Sequence, residues 1–241
     1  MLLSYGKKVS VSSSLEGYPA ENIVDEDART AWVAQSNRDM EWAQVDLQRL
    51  SSIHAIQVNF DEYGANQKGA VSGVYQSYLI YASVNGEDWS LVVDYGTKKT
   101  DTPHDYIEFE EPFKARYIKL QNKEYMVSEN FSVRDLRIFG KGQGSTPRAV
   151  NDFTVERDEA DPCKARLCWE AVPDAQGYIV RYGIAGDKLY NNFQVMGENT
   201  LEIGSLNKGV AYYFTIDAYN ENGITPVSYT HLRAHETDQY L

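Results

Sequence analysis

The 241-residue chain has little basic charge, little cysteine and no long apolar run. Lys and Arg total 23 against 35 Asp and Glu, a formal charge of −12, and both halves of the chain are net acidic. A surface of that sign repels phosphate backbones and anionic headgroups, which argues against nucleic acid or a membrane as partner. No stretch approaches the roughly 18 uninterrupted apolar residues of a membrane-spanning helix. Only Cys163 and Cys168 are present, five positions apart. On a strand that spacing puts them on opposite faces and about 16 Å apart, too far to bridge. No His lies close to them, so they do not read as a metal site, and Cys168 is expected to be a small core residue. The first eight residues, MLLSYGKK, lack the apolar core of roughly 7–15 residues that marks a signal peptide. On this reading the fragment carries no signal peptide, and either the protein is cytoplasmic or Met1 is not the native start.

Tyrosine is abundant: 18 residues against 8 Phe and 4 Trp. Its apolar ring and polar tip suit half-buried strands and wet binding faces. Helical periodicity is scarce, whereas period-two alternation recurs in Tyr78, Ile80, Ala82 and Val84, in Ile56, Val58 and Phe60, and through residues 115–120 and 133–138. Turn signals such as Asn85-Gly86 separate these runs. The pattern predicts an all-β protein built of sandwiches or barrels. Residues 141–147, KGQGSTP, interrupt the strands as a linker does. A second strand series follows at 153–155, 166–169, 178–182, 201–203 and 212–219. The predicted organisation is a first domain over 1–140, the linker over 141–147, a second domain over 148–227 and a tail over 228–241. That tail, SYTHLRAHETDQYL, has no period-two face and reads as non-native, so His231 and His235 are set aside.

Three blocks carry a resemblance in the first domain: GYPAENIVDED with Thr30-Ala31-Trp32, then Glu41-Trp42-Ala43-Gln44-Val45-Asp46-Leu47, and finally VRDLRIFG over 133–140. Together they resemble the discoidin (coagulation-factor type C) domain, the fold shared by family-32 carbohydrate-binding modules, across about residues 5–140. The resemblance implies an eight-stranded jelly-roll sandwich whose first long loop often holds a structural calcium. Asp25, Asp27 and Thr30 bring three oxygens within six residues, and Ca²⁺ takes six to eight hard oxygen ligands. By resemblance Asp135 returns beside that loop, and Asn22 adds a carbonyl. The alternative is a solvated acidic turn capped by its own Asp side chains. Glu26 and Gln48 stand where the family commonly has Gly, and because a Glu does not readily take φ > 0 they predict a loop of different shape. Trp32 and Trp42 are expected in the core, and His104 is expected to open a strand without a catalytic role.

A sugar site needs an aromatic face for the ring and amides or acids for its hydroxyls. Two loops offer these: residues 61–76, with Tyr63, Asn66, Gln67 and Tyr75, and residues 122–131, with Tyr125, Asn130 and Phe131. The competing reading is that these loops face solvent or pack on a neighbouring domain. In the second domain, ARLCW over 165–169 with residues 172–183 resembles strands B and C of a fibronectin type III domain, an immunoglobulin-like β-sandwich. Tyr212 falls in its tyrosine-corner segment, where the hydroxyl bonds back to upstream backbone.

The tandem also resembles the C-terminal accessory region of bacterial family-43 glycoside hydrolases. That implies an extracellular or periplasmic full-length protein with an upstream catalytic domain and a polysaccharide or oligosaccharide ligand, a xylan, an arabinan or a galactoside. Glycoside hydrolysis requires two carboxylates fixed a few ångströms apart in a cleft. No such pair, Ser-His-Asp set, Cys-His set or phosphate loop is evident, so the chain reads as a non-enzyme. Three functions are weighed: a carbohydrate-binding module, a structural brace for a catalytic domain, and an adhesion or lipid-binding module. The negative charge and the lack of apolar spikes speak against the last.

Overall fold

The computed structural model describes residues 1–65 and 73–226. The chain divides into two compact units, Met1–Gln143 and Gly144–Leu241. Asn66, Gln67 and the tail over 228–241 lie outside the described residues.

The first unit contains β1 (Lys8–Val11), β2 (Trp32–Val33), β3 (Trp42–Phe60), β4 (Gln76–Ser83), β5 (Ser90–Tyr95), β6 (His104–Tyr125) and β7 (Ser132–Gly142), with one 3-10 turn over Ala20–Val24. All pairings are antiparallel. Two strands are far longer than the usual five or six residues, because each serves two layers. The first half of β3 lies between β1 and the second half of β6, which goes on to β4 and β5. The second half of β3 lies between β7 and the first half of β6, and β7 carries β2. The register breaks between Asp46 and Ser51, where Gln48 takes φ 66°. Among the described residues the expected eight-strand sandwich is thus drawn with seven continuous strands, two of them shared between a five-strand and a four-strand layer.

Alternation places the core. On β3 the residues Ala43, Val45, Leu47, Ile53, Ile56, Val58 and Phe60 are buried, while Trp42, Gln44 and Asp46 are not. Ile118 and Leu120 of β6 and Leu136 and Ile138 of β7 close the same interior. Tyr78, Ile80 and Ala82 face inward as the alternation predicts, but Val84 lies past the end of β4 and is exposed.

The second unit has β8 (Phe153–Arg157), β9 (Ala165–Trp169), β10 (Gly177–Gly183), β11 (Asn191–Met196), β12 (Thr200–Ile203), β13 (Tyr213–Asn220) and β14 (Gly223–Thr225). They form one sheet in the order β11-β10-β13-β14 and another in the order β12-β9-β8. Trp169, Tyr178, Val180 and Phe214 are buried between them, and the Tyr212 hydroxyl accepts from the Asn207 backbone N–H at 3.1 Å. Cys168 departs from expectation. Ala165, Leu167 and Trp169 take the inward positions of β9, so the alternation turns Cys168 to the other face, where it is half-buried. Cys163 is exposed, and both thiols are free.

Candidate functional site

One end of the first unit is a set of interlocked loops. Loop 34–41 is tied to loop 126–131 by the Ala34 N–H on the Phe131 carbonyl (2.8 Å), the Phe131 N–H on the Ser36 carbonyl (2.9 Å) and the Asn37 amide on the Ser128 carbonyl (2.8 Å). Segment 12–18 joins through the Leu15 N–H on the Val33 carbonyl (2.7 Å) and the Trp32 indole N–H on the Ser13 carbonyl (3.0 Å). Beneath them Trp32, Phe60, Tyr125 and Phe131 pack edge-on or tilted. The fully buried Asn122 amide donates to the Asn37 and Arg38 carbonyls at 2.8 and 2.9 Å. That clamp holds a loop in which Met40 takes φ 82°, a conformation unfavourable for a residue with a side chain.

The loops frame a shallow, open cleft of about 500 Å³ lined by Ser12, Ser13, Gln35, Ser36, Arg38, Asp39, Met40 and Glu41. The Glu41 carboxylate accepts from the hydroxyls of Ser12, Ser13 (2.8 Å) and Ser36 (2.7 Å). Partial burial pushes its pKa up, but the three hydroxyl donors outweigh this and leave it below the ordinary glutamate value. The cleft therefore presents the fixed Glu41 carboxylate with Arg38 and Asp39 beside it, three serine hydroxyls, the Gln35 amide and an exposed Met40 side chain, a mixture suited to a polyhydroxylated ligand with one apolar face. Sequence reading passed over these residues. The Ser12-Ser13-Ser14 run beside Glu41-Trp42 was the available signal, but only the fold brings Ser12 and Glu41 together.

The residues singled out as sugar contacts fare unevenly. Tyr63 is half-buried and meets Tyr18 edge-on at 4.9 Å, and Tyr75 is half-buried with the Lys99 ammonium 5.0 Å from its ring centroid. Asn66 lies outside the described residues. Tyr125 is corrected: only 1% exposed, it is a core residue whose hydroxyl donates to the Asp61 carbonyl and meets Ser132 Oγ at 3.1 Å. Burial raises its pKa, and it offers no ring face to a ligand. Asn130 spends its amide on the Ala34 carbonyl at 2.9 Å and so braces the loop. Trp32 is fully buried, as expected of a core residue. Trp42 is not in the core; it is half-buried on the outward face of β3, with the Lys119 ammonium 5.4 Å from its ring.

At the acidic turn the structure brings together Asp25, Asp27 and Thr30. The Asp25 carboxylate accepts from the Asp27 N–H and the Thr30 hydroxyl, each at 2.8 Å. Asp27 is held by the Arg29 guanidinium at 2.9 and 2.7 Å, and that pairing holds its carboxyl at about 2. The Asn22 amide donates to the Ala31 carbonyl at 2.8 Å. On β7, Asp135 accepts from Asn59 at 2.9 Å, and two residues on Arg137 grips Glu26 at 3.0 and 2.7 Å. Among the described residues no three His, Cys, Asp or Glu side chains are grouped to hold a metal ion. Of the expected ligands, Asp25 and Thr30 are bonded to one another, Asp27 is taken by Arg29 and Asp135 by Asn59. The expectation of a reshaped loop is corrected: Glu26 at φ 62° and Gln48 at φ 66° adopt the left-handed conformation a Gly would take.

Comparison with known proteins gives a family match and several likenesses. The model of the F5/8 type C domain matches residues 8–135. Lactadherin of Rattus norvegicus is 33% identical over 110 residues, covering 43% of this chain and 25% of lactadherin, and that of Mus musculus is 32% identical over 110 residues. The chain thus spans about a quarter of the length of these curated relatives. Among solved structures, chitosan-binding module 1 of a Paenibacillus sp. IK-5 chitosanase/glucanase is 20% identical, covering 58% of this chain and 99% of the module, with a TM-score of 0.49. The family 32 module of C. perfringens NanJ, solved in complex with galactose, is 18% identical over 57% of this chain and 96% of the module, with a TM-score of 0.46.

Proposed function

The chain belongs to the F5/8 type C domain family, and from that premise we propose that its first unit is a non-catalytic module that binds a polysaccharide or oligosaccharide at the loop end. The observation that carries this reading is the cleft between segments 12–13 and 35–41, with Glu41 fixed by three serine hydroxyls and Arg38 and Gln35 beside it. Planar polar groups on a clamped loop meet ring hydroxyls with little loss of freedom on binding. Titration with xylo- and arabino-oligosaccharides and with galactosides, against Arg38→Ala and a Tyr63→Ala/Tyr75→Ala double variant, tests it. Loss of affinity in correctly folded variants is expected; wild-type binding to none of these at millimolar ligand overturns it.

Around that core we propose a larger setting. The second unit reads as a fibronectin type III domain, supported by its four- and three-stranded sheets and by the hydrogen bond between Tyr212 and Asn207. The tandem is proposed as the accessory region of a secreted bacterial plant-polysaccharide hydrolase whose catalytic domain lies upstream, acting in the extracellular or periplasmic space. Calcium is proposed as a structural ligand of the acidic turn through Asp25, Thr30 and neighbouring carbonyls; it would supply charge at the turn and take no part in chemistry.

A second reading, a brace for the catalytic domain, is favoured by one observation. Tyr125 and Asn130 serve the packing of the loops and not their outer surface.

A further inference from the structure

The outward face of the five-strand layer has a feature that the loop-end reading does not use. Cross-strand register aligns Ser10, Gln44, Lys119, Tyr81 and Leu91 in one row over five strands, about 19 Å long at the usual strand spacing. The next row runs through Trp42, Gln121 and Leu79. Trp89, from the turn before β5, comes from the other side, so that the Lys119 ammonium lies 3.7 Å from its ring centroid and 5.4 Å from that of Trp42. Tyr117 extends the aromatic surface, 6.5 Å from Trp89.

The charges around this point are distributed unevenly. Asp46 is neutralised by Arg116 at 2.8 and 2.9 Å, and Asp39 by Lys123 at 2.7 Å. Among the described residues no carboxylate stands within ion-pair distance of Lys119. In a chain of net charge −12, this half-buried cation is held by two indoles and lacks an anion. Burial lowers its pKa, and an arriving carboxylate would offset that cost by favouring the charged form and bonding to it.

We propose that this face, centred on Lys119 between Trp42 and Trp89, is a second glycan site that takes a sugar bearing a carboxylate, a uronate residue. Lys119 pairs with the carboxylate, the indole and phenol rings receive the apolar face of the pyranose, and the Gln44 and Gln121 amides meet its hydroxyls. The site adjoins the loop-end cleft, since the Gln121 amide donates to the Sδ of its Met40 at 3.1 Å, but it is centred on Lys119 and its indoles, which do not line that cleft.

The test is calorimetric titration of the whole chain at pH 7 and low salt with a galacturonate tetramer, its methyl ester and polyglutamate, with folding checked by circular dichroism. Wild type is expected to bind the acid at least tenfold more tightly than the ester, with quenching of tryptophan fluorescence. Lys119→Gln and Trp89→Leu are expected to lose that affinity at least tenfold, while the Tyr63→Ala/Tyr75→Ala variant keeps it. Should Lys119→Gln not fold, the wild-type quenching and Trp89→Leu decide. The proposal is overturned if Lys119→Gln binds the acid normally, if the ester or polyglutamate binds equally well, or if wild type does not bind the acid. Loss of binding in the tyrosine variant alone, or binding of neutral sugars alone, overturns this site and leaves the loop-end function standing.

Discussion

Gln48 and Glu26 pose one question in two settings: what does a side chain in the left-handed region cost when nothing compensates it, and what when something does? Gln48 is exposed at φ 66° in the register break of β3, and its N–H donates to Asp46 Oδ1 at 2.7 Å. Gly keeps that N–H and removes the steric conflict, worth about 1–2 kcal/mol. The added freedom of Gly in the unfolded chain takes back about 0.5–1 kcal/mol. Gln48→Gly is therefore expected to stabilise the first unit by about 0.5–1 kcal/mol, or roughly 2–3 °C in Tm. Glu26→Gly relieves the same strain at φ 62° but loses both hydrogen bonds to Arg137, whose side chain is 32% exposed against 22% for Glu26. A partly exposed pair of this kind contributes about 0.5–1 kcal/mol, so Glu26→Gly should fall within about 0.5 kcal/mol of wild type. Differential scanning calorimetry of both variants and of Glu26→Gln, which keeps the strain and loses the charge, gives the comparison. A Gln48→Gly variant that melts below wild type refutes the reasoning, as does a Glu26→Gly variant that gains as much as Gln48→Gly.

Tyr125→Ala should lower stability by about 3–5 kcal/mol, because it empties a site against Phe60 and Phe131; Tyr125→Phe should lower it by only about 1 kcal/mol, since Ser132 Oγ still donates to the Asp61 carbonyl at 3.0 Å. A Tyr125→Ala melting curve like that of wild type places the ring outside the core. The lowered pKa of Glu41 means that its contribution is full above the ordinary glutamate value of about 4.3 and is lost as pH falls through the folded value. Melting of Glu41→Gln against wild type should therefore show a deficit below about 1 kcal/mol at pH 7 that closes under pH 4. Calcium at the acidic turn would stabilise the folded unit by about 3 kcal/mol at a hundred times Kd, so added calcium should raise Tm and excess chelator lower it; identical melting curves in both reject it. Gly183→Ala should destabilise the second unit by at least about 1–3 kcal/mol, because its Cβ would meet the Lys188 carbonyl at 1.7 Å; a fully stable variant contradicts the tight turn after β10.

The strands were legible because period-two burial writes itself into sequence: Ala43, Val45 and Leu47 against Trp42, Gln44 and Asp46 is the pattern that β3 displays. Over 42–47 the same alternation turns Trp42 outward, against the core position expected for it. Tyr125 failed for a different reason. A Tyr at the end of a long strand has the same composition signal whether its ring faces a ligand or a core, and only the rings of Phe60, from β3, and Phe131, from the loop before β7, decide. Long-range pairing also hid the cleft, because Ser12 and Glu41 are 29 residues apart and meet only through the β1–β3 register. Lys119 is the extreme case. Its lysine is unremarkable in sequence, and its two indoles arrive from positions 42 and 89, so the ammonium's environment exists only in the folded sheet. Local alternation predicts which way a side chain points, but what it meets there depends on the pairing of distant strands, and this is why the scaffold could be read from the sequence and the sites on its surface could not.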